Sequence, residues 1–564
     1  MFKKRYLGAN LILILIVALA FAVRVIGIDK YPVGFTQDEA SFGYDAYSLL
    51  KTGKDQWGER FPLVLRSFGD FKLPLYSYLA IPTVAVFGLN EFAVRLPNAI
   101  FGGLAVIATY LMVREFKKED RKLAILAALL LAFSPWHISL SRGAFEANLT
   151  TFFIPFGVWL YLKGLKNKKW MFVASLSFGL NLFSYHTARL VTPVIFLGLY
   201  IFFVGLNGNF FRGLKKFVGK NKLGFFTFAL FFAISASSIF WGAGQRGSDI
   251  IISNPTDKWA AVSDKRYEAI LGGMPEGVSR IFSNKINYVL KVFTNNYLSY
   301  LSPTFLFSQG AGEATYGMIP GIGVMYFFEL FFLISCLLVW AKRKRIRWLE
   351  FIFFWILVSP IPAALTKGPG YAANRVVVMI PAIQIISAYG ALSLGEYFSR
   401  FKRPKFIRLI YYCALMLILT ISFTSFLENY IYHSPIHSSS FMQHGTRETI
   451  RYVSTIEDEY EEIRISRSVS VPQIWVAFYK KWDPKDYQRY SASWLVYEEK
   501  VSYIDQFEGY RLGKYSFGSI DWNLFSQRDD ILLVGKPSEF PLDVPIKATV
   551  RYPNAQPAYL VVEP

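Results

Sequence analysis

The stretch YPVGFTQDEASFGYDAY, Tyr31 to Tyr47, sets Gln37, Asp38 and Glu39 side by side directly after a long apolar run. A carboxylate at the edge of a membrane span can act as a general base, taking the proton of an attacking hydroxyl. Cations for such a site occur in short connectors between apolar segments. SFGDFKLPLY carries Asp70 and Lys72, SPWHISLSRGAFEANL carries Arg142 and Glu146, SYHTARL carries His186 and Arg189, and LTKGPGYAANRVVV carries Lys367, Asn374 and Arg375. Ionisable groups near membrane depth are costly, so several gathered at one face of the bilayer suggest a site. Arg holds phosphate through a planar fork and Lys as a point charge, which suits an anionic lipid head group. Plainer roles exist for each residue. Arg142 and Glu146 have the spacing of a helix-face pair, Arg189 and Arg375 could snorkel, His186 could be an ordinary interfacial histidine, and Glu39 could hold its loop.

The elements that must position these residues are read from hydropathy and charge. The chain has 564 residues, of which 53% are apolar and 18% aromatic, a profile above the soluble range. The formal charge of +21 lies mostly in short basic runs between apolar segments, which are orientation signals rather than a nucleic-acid surface. Cys336 and Cys413 both sit inside apolar segments, so the outer loops are expected to lack disulfides. No Cys/His cluster has zinc-ligand spacing.

Eleven spans are expected, beginning near residues 7, 92, 123, 149, 170, 191, 224, 318, 348, 375 and 408. The first is read as an uncleaved span rather than a signal peptide. Basic connectors at 3–5, 114–122, 163–169, 212–222, 342–347 and 400–408 then fall on the inner side. That parity requires residues 73–90 to lie in the outer interface as a helix broken near Pro82, and not to cross. The result is a transmembrane domain over 1–428, with a first outer loop at 29–91 and a second at 242–318. A soluble domain over 429–564 follows outside. Its TRETIRYVSTIEDEYEEIRIS reads as helix then strand and its DDILLVGKP as strand and turn, giving a small α/β unit behind an all-α membrane domain.

In order along the chain, QDEASFGYDAYSLLKTG, GDFKLPLYSYLAIP, FAVRLPNAIFGG and SRGAFEANLTTFF resemble the C-type membrane glycosyltransferases. The nearest branch is that of the protein O-mannosyltransferases and the lipid A aminoarabinose transferases. The likeness covers residues 1–200, and PGYAANRVVVMIPA extends it towards the tenth span.

The resemblance implies a sugar donor carried on a polyprenyl phosphate and Asp38 as general base with Glu39 beside it. It also aligns Glu146 with an acidic position after the third span and Arg375 with a phosphate-binding arginine. The family's acid-Lys pair is interrupted here by Phe71, between Asp70 and Lys72. The chemistry suits these residue types: the base takes the acceptor's proton as it attacks the anomeric carbon, cations hold the departing phosphate, and one attack gives inversion. No cofactor or metal is expected, although Asp38, Glu39 and Glu146 are oxygen ligands that a hard cation would use. The partners expected are the lipid-linked donor, the bilayer, and an acceptor protein, lipid or glycan. The expected location is a prokaryotic cytoplasmic membrane, with the N-terminus inside and the site outside. A polysaccharide polymerase or ligase shares the donor and is the alternative. A lipid-linked glycan transporter fits less well, because the charges gather at one face and no internal repeat is visible.

Overall fold

The computed structural model describes residues 2–69, 71–205, 210–241, 251–252, 255–311, 316, 318–319, 321–342, 345–366, 372–398, 400–401, 403–498 and 508–564. Asp70 and Lys367 lie outside the described residues, as does part of the expected second outer loop.

The first helix, α1 (Phe2–Val25), is followed by α2 (Gln37–Thr52), the short hairpin β1 (Leu65–Arg66) and β2 (Phe71–Lys72), and α3 (Leu75–Phe87). Then come α4 (Glu91–Phe116), α5 (Arg121–Ala132), α6 (Pro135–Ser141), α7 (Thr150–Gly164), α8 (Lys168–Asn181), α9 (His186–Tyr200), α10 (Phe210–Lys220) and α11 (Lys222–Ser237). Later apolar helices cover Glu329–Lys342, Arg347–Val358, Ala382–Phe398 and Pro404–Glu428. Among the described residues, five helices are long and apolar enough to cross a membrane, or seven if two bent pairs each count as one span. This is an integral membrane protein. Each expected span start coincides with a helix, except that the eighth begins at Glu329 rather than near residue 318.

One bend shows how the polar residues of the spans are used. Between α5 and α6 the chain turns by 57° at Ser134–Pro135, because a proline has no N–H with which to continue the ladder. At this break the carbonyl of Leu131 keeps a 3.3 Å bond from the Ser134 N–H, and that of Ala132 ends the helix beside it. The buried Arg24 of α1 donates to both, at 3.3 and 3.0 Å, and its Nη2 also meets His137 Nδ1 at 2.9 Å.

At 13 residues α3 extends roughly 20 Å. It is not broken at Pro82, as its sequence suggested, but runs through it. Its flanks are pinned to α4: Tyr76 donates its hydroxyl proton to Val94 O at 2.8 Å, and Thr83 to Ala93 O at 2.7 Å. Those bonds offset the ladder hydrogen bond that Pro82 cannot make.

After Glu428 the helical run continues without interruption to Ser438, so the division expected at 428/429 falls inside it. Beyond it lie helices Thr446–Ile456, Pro472–Tyr479 and Pro484–Glu498 and a six-stranded sheet. The strands are β3 (Glu462–Ser466), β4 (Tyr510–Leu512), β5 (Tyr515–Gly518), β6 (Ile531–Gly535), β7 (Ile546–Arg551) and β8 (Pro557–Val562), in the spatial order β4-β5-β3-β6-β8-β7. Strand β3 is central and parallel to both neighbours. Both elements expected of this tail are present, as the helix before β3 and as β6.

This unit presses α2 against α4. A Cβ on Gly43 would come within 2.4 Å of Val94 Cγ2 and 2.8 Å of the Phe478 ring, so only glycine fits between the two contacts. Tyr44 donates to Trp482 O at 3.0 Å, and Gln488 Nε2 to Asp55 O at 2.9 Å.

Candidate active site

The neighbouring acids of the first outer loop part at the start of α2. Thr36 caps the helix: its Oγ1 accepts the Glu39 N–H at 3.2 Å, and its own N–H donates to Glu39 Oε2 at 3.0 Å. This reciprocal capping box fixes the first turn. Successive helical residues point about 100° apart, so the two side chains diverge, although the run from Glu39 to Ala46 is buried throughout. Glu39 is fully buried, and Arg95 of α4 meets it with Nε on Oε1 at 2.8 Å and Nη2 on Oε2 at 3.1 Å. The Ala144 N–H also donates to Oε1, at 2.8 Å. Glu39 therefore ties α2, α4 and the segment after α6 together.

Asp38 points the other way and its side chain is 49% exposed. Its Oδ1 lies 2.7 Å from Lys72 Nζ, while Lys72 itself is only 4% exposed. The ammonium is walled by the rings of Phe42 and Phe68, with centroids 4.8 and 5.3 Å away. Hairpin pairing of Leu65 with Lys72 and Arg66 with Phe71 sets its direction. Asp38 and Lys72 face a cavity of about 300 Å³ that also meets Gln37, Glu146, Tyr185 and Gln443. Phe145, Tyr316 and Phe441 give it aromatic walls.

Glu146 reaches this cavity from a short 3₁₀ turn, Glu146–Leu149. The approach to that turn is held by Asn98 of α4, whose Nδ2 donates to Leu140 O, Gly143 O and Phe145 O at 2.8, 2.6 and 3.2 Å. Tyr185 is anchored by Asn374, whose Nδ2 donates to its hydroxyl at 3.1 Å.

The structure thus brings Asp38, Lys72 and Glu146 into one cavity and gives other sequence candidates other surroundings. Arg142 is buried and donates to the carbonyls of Val23, Ile26 and Gly27, with the last two bonds at 2.9 and 3.0 Å. It satisfies backbone acceptors at the end of α1. Arg189 donates to Ser238 Oγ at 2.7 Å and Leu182 O at 3.3 Å, joining the ends of α8, α9 and α11. Arg375 donates to Thr366 Oγ1 at 2.8 Å. His186 opens α9 beside Tyr185, with ring centroids 6.2 Å apart.

The sequence reading did not single out Arg95, Asn98, Tyr185, or the cavity wall formed by Ser440, Phe441 and Gln443. Arg95 and Asn98 left a signal, since both interrupt an otherwise apolar helix three residues apart. The wall did not, because it lies some 400 residues downstream of Asp38 and meets it only through the fold.

Two more carboxyls lie behind the site, Asp45 on α2 and Asp55 in the loop that follows it. Asp45 is fully buried, and burial pushes its carboxyl well above the usual range. Asp55, whose Oδ1 accepts the N–H groups of Trp57 and Glu59 at 2.9 Å each, is pushed up to about 6 by burial. Among the described residues, no group of three or more His, Cys, Asp or Glu side chains could hold a metal ion.

Residues 72–236 match the family model of the dolichyl-phosphate-mannose-protein mannosyltransferases, under half of the chain. A search of curated proteins finds no match. The structure is similar to ArnT from Cupriavidus metallidurans bound to undecaprenyl phosphate, with a TM-score of 0.52, 12% identity, and coverage of 97% of both chains. It is also similar to the archaeal oligosaccharyltransferase AglB from Archaeoglobus fulgidus, in complex with an inhibitory peptide and a dolichol-phosphate. There the TM-score is 0.50 at 14% identity, over 85% of this chain and 64% of the longer archaeal one. The fold is that of the C-type glycosyltransferases. The resemblance read from the sequence is met by both comparisons. Within this C-type fold the family match opens at Lys72 and takes in Glu146 and Tyr185, while Asp38 precedes it.

Proposed function

We propose that this protein is a membrane glycosyltransferase that moves a sugar from a polyprenyl-phosphate-linked donor to an acceptor hydroxyl, with inversion. The observation that carries the reading is the half-exposed Asp38 carboxylate, 2.7 Å from a buried lysine in a cavity that also holds Glu146. A carboxylate placed there can accept the proton of an attacking hydroxyl. The acceptor oxygen attacks the anomeric carbon and its proton passes to Asp38. The bond from that carbon to the phosphate oxygen breaks, and its electron pair leaves with the phosphate. Lys72 meets the charge that develops there. Glu146 and the aromatic walls orient the sugar.

In this reading the site and the C-terminal unit over 429–564 face the outside of a prokaryotic cytoplasmic membrane, above a transmembrane domain over 1–428 with eleven spans. Arg375 and Arg189 support the phosphate side through the segments they pin, and no metal takes part. Purified protein in nanodiscs, given radiolabelled polyprenyl-phosphate hexoses and candidate acceptors, tests the assignment. Label should leave the lipid with wild type and stay on it with a folded Asp38→Asn variant. Equal transfer by both, or none from any donor, overturns the proposal.

A further inference from the structure

Helices α8 and α11 both finish near the candidate site. The turn after α8 leads to Tyr185, and the turn after α11 contains Ser238, the partner of Arg189. Both start at another place, a groove of about 570 Å³. Helices of 14 and 16 residues separate the two places by roughly 20 Å. The groove therefore lies at the opposite end of the spans from Asp38.

Four lysines rim it: Lys168 and Lys169 in the first turn of α8, Lys220 at the end of α10, and Lys222 at the start of α11. All four are exposed, and among the described residues none has a carboxylate partner. Its floor is apolar, from Phe172, Val173 and Leu223, and Leu223 is 63% exposed. The α11 N-terminus has no side-chain cap, so its first N–H groups add to the positive field.

Asn221 lines the same groove and is 5% exposed. Its Nδ2 donates to Phe217 O at 3.0 Å, while its buried Oδ1 has no partner among the described residues. The depth is that of lipid head groups. Trp159 and Trp170 stand 6.4 Å apart near this end, with Lys163 Nζ 4.6 and 4.5 Å from their rings, and tryptophans concentrate at the membrane–water boundary. Helix α10, FFRGLKKFVGK, is amphipathic and basic, as a helix lying in that boundary should be.

The geometry points to a binding site for one anionic diacyl phospholipid with a hydroxyl-bearing head group, of the phosphatidylglycerol class. Its phosphodiester sits among the four lysines, its acyl chains lie along Phe172, Val173 and Leu223, and a head-group hydroxyl donates to Asn221 Oδ1. The exposed apolar floor distinguishes this ligand from free phosphate. The unmet acceptor distinguishes it from a polyprenyl phosphate, which carries no head-group alcohol.

The test uses the full chain in detergent and measures lipid retention by native mass spectrometry and protection by thermal shift. The probes are phosphatidylglycerol, phosphatidylmethanol, phosphatidylcholine, undecaprenyl phosphate and inorganic phosphate. The expected result is salt-sensitive retention of one phosphatidylglycerol, at least tenfold over phosphatidylcholine. It is lost in a monodisperse Lys168→Gln/Lys169→Gln/Lys220→Gln/Lys222→Gln variant. Asn221→Leu should abolish the preference for phosphatidylglycerol over phosphatidylmethanol while leaving both bound. Retention unchanged by the fourfold variant, equal binding of phosphatidylcholine or undecaprenyl phosphate, or equal protection by inorganic phosphate overturns the assignment.

Discussion

Glu39→Gln separates positioning from chemistry at the paired acids. Five donors converge on the two carboxylate oxygens: Arg95 Nε and the Ala144 N–H on Oε1, and Arg95 Nη2, the Thr36 N–H and, at 3.5 Å, the Thr36 hydroxyl on Oε2. Glutamine has one oxygen and one NH₂ group, so whichever way the amide is turned, at least two donors face another donor. The variant also leaves the Arg95 guanidinium buried without its counter-charge. Removing one partner of a buried ion pair costs about 3–5 kcal/mol. The lower end applies here, because Arg95 keeps the carbonyls of Ile28, Pro32 and Gly34 at 3.0, 3.0 and 2.6 Å.

The expected result is a folded but less stable protein with a lower apparent melting temperature. Hydrogen exchange should quicken over residues 28–39 and around Ala144. Transfer should fall because Asp38 and Glu146 lose their common tie, and Glu39→Gln/Arg95→Met should recover part of the stability by removing the stranded charge. A Glu39→Gln protein with wild-type melting and exchange, but no transfer, would refute this reasoning and place Glu39 in the chemistry.

Lys72 should tolerate neither Met nor Arg. The first removes the charge and the second replaces a compact ammonium with a longer, wider fork that displaces the charge from its place 2.7 Å from Asp38, so both should lower transfer at least tenfold in the radiolabel assay. Wild-type rates for Lys72→Arg would show that charge alone matters. Gly43→Ala drives a methyl into Val94 and Phe478 and should destabilise the protein by about 1–3 kcal/mol, partly relieved by Val94→Ala in the same thermal assay. Asp55 is held at about 6 from an ordinary 3.8, so the folded state keeps a proton that the unfolded chain releases between those values. Its contribution to stability is therefore present below pH ~4 and falls as pH rises through ~6, by about 3 kcal/mol. Asp55→Asn should flatten that slope in melts between pH 4 and 7, and an unchanged slope would remove Asp55 as its source.

What the sequence made legible followed from patterns within single elements. Apolar runs of span length located the helices, and the alternation of basic connectors predicted that residues 73–90 would not cross. The limits were equally physical. Asp38 and Glu39 are neighbours in sequence, yet a helical turn sends one to a cavity and the other to a buried arginine, and only the capping box at Thr36 decides which. Arg142 and Glu146 have the spacing of an ion pair, but α6 ends at Ser141, so no helix carries both, and α1 presents three carbonyls that Arg142 satisfies. Interfacial arginines were read as phosphate ligands because their charge was visible, whereas the backbone acceptors that claim Arg142 were not. An arginine beside a helix bend has backbone carbonyls to satisfy before it has a ligand to bind, as Arg24 shows at the bend before Pro135, where it donates to two. In this fold, then, the cation we propose for the substrate is the one whose ion-pair partner, among the described residues, is the half-exposed acid itself, and that is Lys72.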